Sequence, residues 1–180
     1  MSSFDAQTTK SREGRELKSF TVVDARQVRA KDKNIDQILS YVEEKTGGKR
    51  FAKRSDIQPS ELKDLLPDIC FFIPRYGNDG VLDDVDITLM GTNVVSFYGE
   101  LTGQNVKSHP SPVIAERILA CVSKTINNRR PTFAEAASLS PDQNYLAVKA
   151  LYVPLSEDGQ LIDRLLVYVR VFGKSLLEDE

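Results

Sequence analysis

The sequence predicts an α+β fold that is built on an antiparallel β-sheet. Along the chain, the apolar periodicity changes from helical to alternating, returns to helical and ends as alternating. The predicted order is therefore two helices, two strands, two helices and three strands. Turn-forming residues separate consecutive strands at 76–80 and at 156–159. Strands that follow one another in this way pair as hairpins, whereas a doubly wound fold would alternate each strand with a helix.

The composition is that of a globular protein with one domain. The chain has 180 residues, of which 41% are hydrophobic and 28% charged, and its formal net charge is −2. This charge gives no overall attraction to DNA, and no apolar run approaches the ~20 residues of a membrane-spanning helix. The N-terminus lacks an apolar secretion signal, and Cys70 and Cys121 lie in apolar surroundings. We therefore expect a cytoplasmic protein that binds no DNA and does not insert into membranes.

The first part of the chain divides into a tail and a helical segment. Residues 1–33 contain eight basic and five acidic residues and few apolar side chains at their start, which predicts a flexible basic tail. Within it, 20–23 is a candidate short strand or docking segment. Residues 34–66 form the predicted helical segment, with helices at 34–45 and 59–66.

Residues 67–175 contain the expected sheet and the helices that pack on it. Alternating or continuous apolar runs identify the strands, and the 3.6-residue apolar pattern identifies the helices. The predicted strands are 68–74, 84–90, 132–139, 145–155 and 161–172, and the predicted helices are 92–99 and 112–127.

The sequence lacks the residue patterns of the common enzyme classes. It contains one histidine and two cysteines, and it has neither a G-x-S-x-G nor a G-x-x-x-x-G-K-[ST] motif. We therefore predict no catalytic and no metal-ligating residues, and no enzymatic activity. The acidic residues Asp83, Asp84 and Asp86 could in principle hold a divalent cation, which leaves an enzyme as the weaker alternative. Such a cluster is more often a solvated strand end.

Four cations within six residues suggest a different kind of site. Lys49, Arg50, Lys53 and Arg54 could bind an anionic metabolite or a nucleotide. A solvated linker is the simpler explanation of such a run. His109 lies in a loop before the longest helix, where it either has no role or serves as a haem ligand or a polar anchor at the mouth of a pocket.

Six short motifs, in order along the chain, resemble a known family. They are Arg-Ser-Asp-Ile-Gln-Pro at 54–59, Leu-Leu-Pro at 65–67, Leu-Met-Gly-Thr at 89–92, Phe-Tyr-Gly at 97–99, Leu-Thr-Gly at 101–103 and Pro-Leu-Ser-Glu-Asp-Gly at 154–159. The succession resembles a bacterial family of stand-alone PAS-like domains over about residues 35–172. The resemblance implies a five-stranded antiparallel sheet with helices on one face, preceded by an N-terminal helical extension.

PAS domains are sensory and protein-interaction modules. The resemblance therefore implies a signalling adaptor that contacts other signalling proteins and that holds either a small organic metabolite between sheet and helices or no ligand at all. The cofactor stays open: neither cysteine has the Asn-Cys-Arg-Phe-like setting of a flavin adduct, and haem would need His109, whose loop setting argues against that role. Because the chain ends soon after the last strand, we expect it to signal by non-covalent contact. The candidate ligand-pocket residues are Met90, Phe97, Tyr98, Ile118, Val122 and Phe133; for Phe97 and Tyr98, packing in the core is the simpler alternative.

The last strand and the first helix together predict an interface. Alternate residues of the strand form a face with apolar and aromatic side chains, and aromatic residues are enriched in interfaces. The amphipathic helix at 34–45 needs a surface that accepts its apolar side chains. We expect this helix to cover that sheet face, from the same chain or from a second copy, and to form a homodimer there; packing within one chain alone is the alternative. The predicted interface residues are Ile35, Ile38, Val42, Leu166 and Tyr168.

Overall fold

The computed structural model describes residues 9–10, 16–139 and 145–173. In this part of the chain, the strands are β1 (Thr9–Lys10), β2 (Glu16–Asp24), β3 (Ile69–Tyr76), β4 (Leu82–Met90), β5 (Thr132–Leu139), β6 (Tyr145–Leu155) and β7 (Arg164–Gly173). The helices are α1 (Lys33–Lys45), α2 (Thr92–Tyr98) and α3 (Pro112–Asn128). Every strand and helix predicted between 67 and 175 is present, with bounds that agree within a few residues.

The strands form one antiparallel sheet in the order β1-β2-β5-β6-β7-β3-β4. β3 pairs with β4, and β6 pairs with both β5 and β7. β7 also pairs with β3, and this pairing joins the β3–β4 hairpin to the C-terminal strands. The five strands from β5 to β4 in this order are the predicted sheet, so the α+β class and the PAS-like architecture are confirmed.

β2 extends the sheet beyond the five predicted strands. Its backbone pairs with β5 from Leu17 to Asp24, and Val22 is buried. Over these residues the expected flexible tail is wrong, because the edge of β5 supplies backbone hydrogen bonds that a local count of apolar side chains does not include. The candidate strand at 20–23 lies within β2. The tail residues 1–8 and 11–15 lie outside the described part of the chain.

Helices cover both faces of the sheet. On one face, α1 packs with the turns that follow it against apolar side chains of β3, β6 and β7. On the other face, α2 and α3 pack against the side chains that alternate with these along the same strands. Neighbouring residues of β7 therefore belong to different cores: Leu166 and Tyr168 face α1, whereas Leu165 and Val167 face α3.

The predicted interface residues are buried within a single chain. Ile35, Ile38 and Leu166 have no exposed surface, and Tyr168 is 1% exposed. The hydroxyl of Tyr168 also accepts a hydrogen bond from the Asn34 side chain, at 2.9 Å. α1 of the same chain occupies this sheet face, which is the packing within one chain given above as the alternative; the homodimer stays a prediction.

Local sequence explains where the elements begin and end. Asp32 is the N-cap of α1, and its carboxylate accepts hydrogen bonds from the backbone N–H groups of Asn34 and Ile35. In place of the predicted helix at 59–66, the chain has two short 3₁₀ turns, Pro59–Leu62 and Leu66–Asp68. The last hairpin contains Gly159 at a φ of 78°, a conformation that favours glycine. None of the helices in the described ranges has the length and apolar character to span a membrane.

Candidate functional site

A cavity of about 170 Å³ lies between the α2–α3 side of the sheet and these two helices. We call it the α2–α3 cavity. Apolar side chains from both strands and helices form most of its wall, and they include Phe72, Ile87, Val94, Leu101, Ile114 and Ile118. Small residues on the central strands, Ala134 and Ala150, leave room for it. Such a cavity accommodates a ligand with an apolar body.

The α2 helix forms the mouth of the cavity. Phe97 lines the cavity and is also 42% exposed, so its ring lies between the interior and the solvent. It contacts Tyr98 edge to face, with ring centroids 4.8 Å apart. Tyr98 lines the cavity more deeply, and burial raises the pKa of its phenol to about 12. The hydroxyl is therefore neutral at physiological pH.

Four of the six predicted pocket residues line this cavity, and two do not. Met90, Ile118, Phe97 and Tyr98 belong to its wall. Val122 is buried in the core on the same side of the sheet. Phe133 belongs to the core on the α1 side, so this assignment is corrected: adjacent strand residues face opposite sides of a sheet, and Ala134 faces the cavity instead.

β2 adds a wall that the sequence analysis did not foresee. Phe20, on β2, lines the cavity. The guanidinium of Arg117, on α3, lies over the Phe20 ring at 4.9 Å from its centroid. This cation–π contact connects the sheet edge to the helix across the cavity.

Two polar side chains in the wall have unsatisfied nitrogen atoms. Within the described residues, Nε2 of His109 and Nη2 of Arg117 are the buried side-chain polar atoms without a hydrogen-bond partner. His109 is not a simple surface residue, because its ring lines the cavity and its Nδ1 accepts a hydrogen bond from the Ser111 backbone N–H at 2.9 Å. Burial lowers the pKa of His109. The ring is consequently neutral, with its proton on Nε2.

Helical periodicity could have identified Arg117. It follows Ile114 by three residues and precedes Cys121 by four, and residues at these spacings share one face of a helix. All three line the cavity. A single arginine on an otherwise apolar helix face is thus a signal that the sequence contained.

Both cysteines also line the cavity as protonated thiols. Burial raises the pKa of Cys70 to about 11 and that of Cys121 to about 12. A thiol with such a pKa is a poor nucleophile at neutral pH. Cys121 shares a hydrogen bond with Tyr152, another buried residue of the wall. Both side chains pack in the core on this side of the sheet.

The cavity does not fit the large cofactors considered for the fold. Its volume of about 170 Å³ is close to the about 150 Å³ of a cavity in another protein that binds benzene. A porphyrin or the three-ring system of a flavin is several times larger than benzene. Nε2 of His109 alone does not make a haem site in so small a space.

The four predicted anion-binding cations do not converge on one site. The Arg54 guanidinium stacks on Phe71, at 3.9 Å from the ring centroid, and donates to the Ile57 carbonyl. Lys53 pairs with Glu157 at 3.7 Å. Arg50 lies over its neighbour Phe51, and Lys49 is exposed. Three of these four side chains therefore contact groups of the chain itself.

The acidic cluster on β4 is also engaged by the chain itself. Asp84 accepts hydrogen bonds from Asn105 and from the backbone of Val85 and Lys107. Partial burial opposes ionisation, but these bonds outweigh it and hold the pKa of Asp84 below its ordinary value. Of the other two carboxylates, Asp83 forms an ion pair with Lys107, and Asp86 forms one with Arg75. Across the described residues, no group of three or more His, Cys, Asp or Glu side chains could hold a metal ion.

Comparison with known proteins connects the fold to a family. Curated proteins give no significant match. Among solved structures, the chain is similar to the one described as "Structure of an RNA-binding Light-Oxygen-Voltage Receptor", with 10% identity and a TM-score of 0.39; the match covers 86% of this chain and 53% of that one. The chain thus spans about half the length of that receptor. The family described as "PAS domain" matches residues 30–168. Because this match spans well over half of the chain, the protein belongs to the PAS domain family.

Proposed function

We propose that this protein is a sensory PAS adaptor that binds a small organic ligand in the α2–α3 cavity and signals by contact with other proteins. The PAS domain supports a sensory or signalling role. The observation that carries the ligand proposal is the cavity of about 170 Å³, whose wall is mostly apolar. Its two partnerless nitrogen atoms, on His109 and Arg117, would fix the orientation of a ligand.

The energetics of packing favour a ligand over an unused space. Protein interiors are packed about as densely as organic crystals, and voids larger than a water molecule are few. A cavity costs stability in proportion to its volume. The wall includes large side chains, such as Phe72 and Tyr152, beside Ala134 and Ala150, so larger residues at the alanines would close the space. Binding of a ligand offsets the cost of keeping it open.

The chemistry of the cysteines in the described wall and of the acidic cluster outside it favours a binding role over enzymatic activity. The thiols of Cys70 and Cys121 have raised pKa values, and the acidic cluster on β4 is held in structural hydrogen bonds and ion pairs. We place the adaptor in the cytoplasm, because two buried free thiols suit a reducing compartment.

α2 is the element that we expect to transmit occupancy of the cavity. It is a single short helix of seven residues that ends at Gly99, whose φ is 85°. Val94, Phe97 and Tyr98 all line the cavity, and the exposed part of Phe97 faces solvent. A ligand that repositions these side chains would change the surface that α2 presents to a partner.

Mass spectrometry of the full-length protein tests the ligand proposal. The mass under native conditions is compared with the mass after denaturation, and any released small molecule is identified. Ala150→Leu and Ala136→Leu each add three carbon atoms to the cavity wall, whereas Ala30→Leu makes the same change at an exposed position. We expect the wild type and Ala30→Leu to release the same molecule. The two cavity variants, if folded by circular dichroism, should release none.

Hydrogen exchange then tests transmission through α2. Amide exchange in Thr92–Tyr98 should slow when ligand is bound, and it should stay fast in Ala150→Leu under the same conditions. The ligand proposal is wrong if the wild type releases no molecule and no small organic compound raises its Tm. Transmission through α2 is wrong if binding leaves the exchange of this helix unchanged.

A further inference from the structure

The unsatisfied atoms in the α2–α3 cavity are both hydrogen-bond donors. The bond from Ser111 N–H to Nδ1 of His109 assigns the ring proton to Nε2. An arginine side chain has donors only. Burying a donor without an acceptor costs free energy, so a ligand that fills this cavity gains by bringing acceptor atoms to Nε2 of His109 and Nη2 of Arg117.

The positive charge of Arg117 restricts further the chemical class of ligand that suits the cavity. The cavity wall, which the described residues form, contains no Asp or Glu. Phe20 contacts the guanidinium by its ring, and an aromatic face leaves the N–H groups at the edge of the guanidinium available for hydrogen bonds. Burial lowers the pKa of Arg117, which indicates that its charge is poorly solvated there. An anionic acceptor would compensate this charge as well as the hydrogen bond.

The position of α3 also favours a negative charge at this end of the cavity. Ser111 and Ile114, in the N-cap and first turn of α3, line the cavity together with Arg117 one turn further on. The N-terminus of a helix carries a partial positive charge, which stabilises anions nearby. The rest of the wall is apolar, and the volume of about 170 Å³ suits a body of about the size of benzene.

We propose that the α2–α3 cavity binds a small organic carboxylate, with Arg117 and Nε2–H of His109 on the carboxylate and the apolar wall around a ring or a short alkyl chain. This inference rests on the proposed function and specifies its ligand class. The guanidinium donates the charge-assisted hydrogen bonds, and His109 fixes the second oxygen. An inorganic anion is not the expected ligand, because it has no apolar part and would leave most of the cavity wall without contacts.

Titration of the full-length protein with two probes of the same ring tests this class. Sodium benzoate carries the carboxylate, and benzyl alcohol is its neutral counterpart. Binding of each probe to ¹⁵N-labelled, dialysed protein is followed by amide chemical shifts. We expect benzoate to bind about tenfold or more tightly than benzyl alcohol, because hydrogen bonds to a charged group are the stronger ones. Sodium sulfate should not displace benzoate at equal concentration.

Three variants locate the binding group. Arg117→Met keeps a long side chain but removes the charge, and we expect it to weaken benzoate about tenfold or more and leave benzyl alcohol within about twofold. Arg50→Met is the matched control, since Arg50 also lies over a phenylalanine ring but outside the cavity; it should change neither affinity. Ala150→Leu should abolish binding of both probes.

The Tm supplies a second measurement that is independent of affinity. Burying a charge that has no ionic partner costs free energy, and an apolar side chain of similar size avoids that cost. Without ligand, Arg117→Met should therefore melt no lower than the wild type, and it should lose the increase in Tm that benzoate gives the wild type. If Arg117→Met does not fold, Arg117→Gln provides the same comparison.

The possible outcomes separate this inference from the proposed function. If the wild type binds benzoate and benzyl alcohol equally and Ala150→Leu binds neither, the cavity is a ligand site but the preference for a carboxylate is refuted. If Arg50→Met loses benzoate binding and Arg117→Met keeps it, the anion binds at residues 49–54. This result would also refute the carboxylate site in the cavity. Displacement of benzoate by equimolar sulfate would refute the claim that the ligand needs an apolar part. If neither probe binds and the purified protein contains no ligand, both proposals fail.

Discussion

Leu166→Ala should destabilise the protein strongly and leave it monomeric. Leu166 has no exposed surface and belongs to the core between α1 and the sheet, with Ile35 and Ile38, which are equally buried. Truncation of a fully buried leucine to alanine costs about 2–5 kcal/mol, because apolar contacts are lost and a cavity remains. For a domain of this size, each kcal/mol lowers Tm by about 2–4 °C. The expected decrease in Tm is therefore about 4–20 °C.

Thermal unfolding over a range of protein concentrations measures both effects. Leu161→Ala is the matched control, since Leu161 is 52% exposed and close in sequence to Leu166; its Tm should change by less than about 2 °C. If α1 packs within one chain, the Tm of the wild type is independent of concentration. A Tm that rises with concentration, or a Leu166→Ala variant as stable as Leu161→Ala, would refute the intramolecular core.

Three further predictions concern backbone geometry and protonation. Gly91→Ala should lower the free energy of unfolding by about 1–3 kcal/mol in chemical denaturation, because a Cβ there would overlap the backbone oxygen of Pro67; an unchanged midpoint would contradict this close approach. Gly159→Val should cost about 1–2 kcal/mol, since valine disfavours a φ of 78°, whereas Gly159→Asn should be better tolerated; equal stabilities would remove the strain argument. As pH falls below the ordinary histidine pKa of 6.5, the unfolded chain should bind a proton before buried His109 does and stability should decrease; His109→Gln should show a smaller decrease, and identical pH profiles would contradict the burial of the ring.

The sequence was sufficient for the elements whose signals are local. Alternation of apolar residues and the turn at Gly159 located the last two strands, and the apolar stripe located α3. Only residues 20–23 of β2 were suggested as a strand, because the order of β2 comes from pairing with β5, more than a hundred residues away. Periodicity also left open which side of the sheet each alternate residue faces. That ambiguity placed Phe133 in the pocket, where the structure has Ala134.

The site was less predictable than the fold, for a physical reason. Met90 and Ile118 followed from the family resemblance and from the apolar pattern, which describe the wall of any cavity of this kind. Arg117 and His109 give this wall its polar chemistry; the position of Arg117 on an apolar helix face is visible in the sequence, but the lack of a hydrogen-bond partner is not. Their importance depends on burial without a partner, a three-dimensional property that composition and spacing do not encode.

The boundary of the sensory unit extends beyond the family match. That match begins at residue 30, but Phe20 already forms part of the cavity wall and contacts the guanidinium of Arg117. On the same strand, the Val22 carbonyl accepts a hydrogen bond from Lys124 at 3.3 Å, which fixes β2 to α3 a second time. Any change in the position of Arg117 on ligand binding therefore acts directly on β2. β2 and α2 thus border the same cavity from different elements, and under the proposed function we expect both to respond to ligand binding.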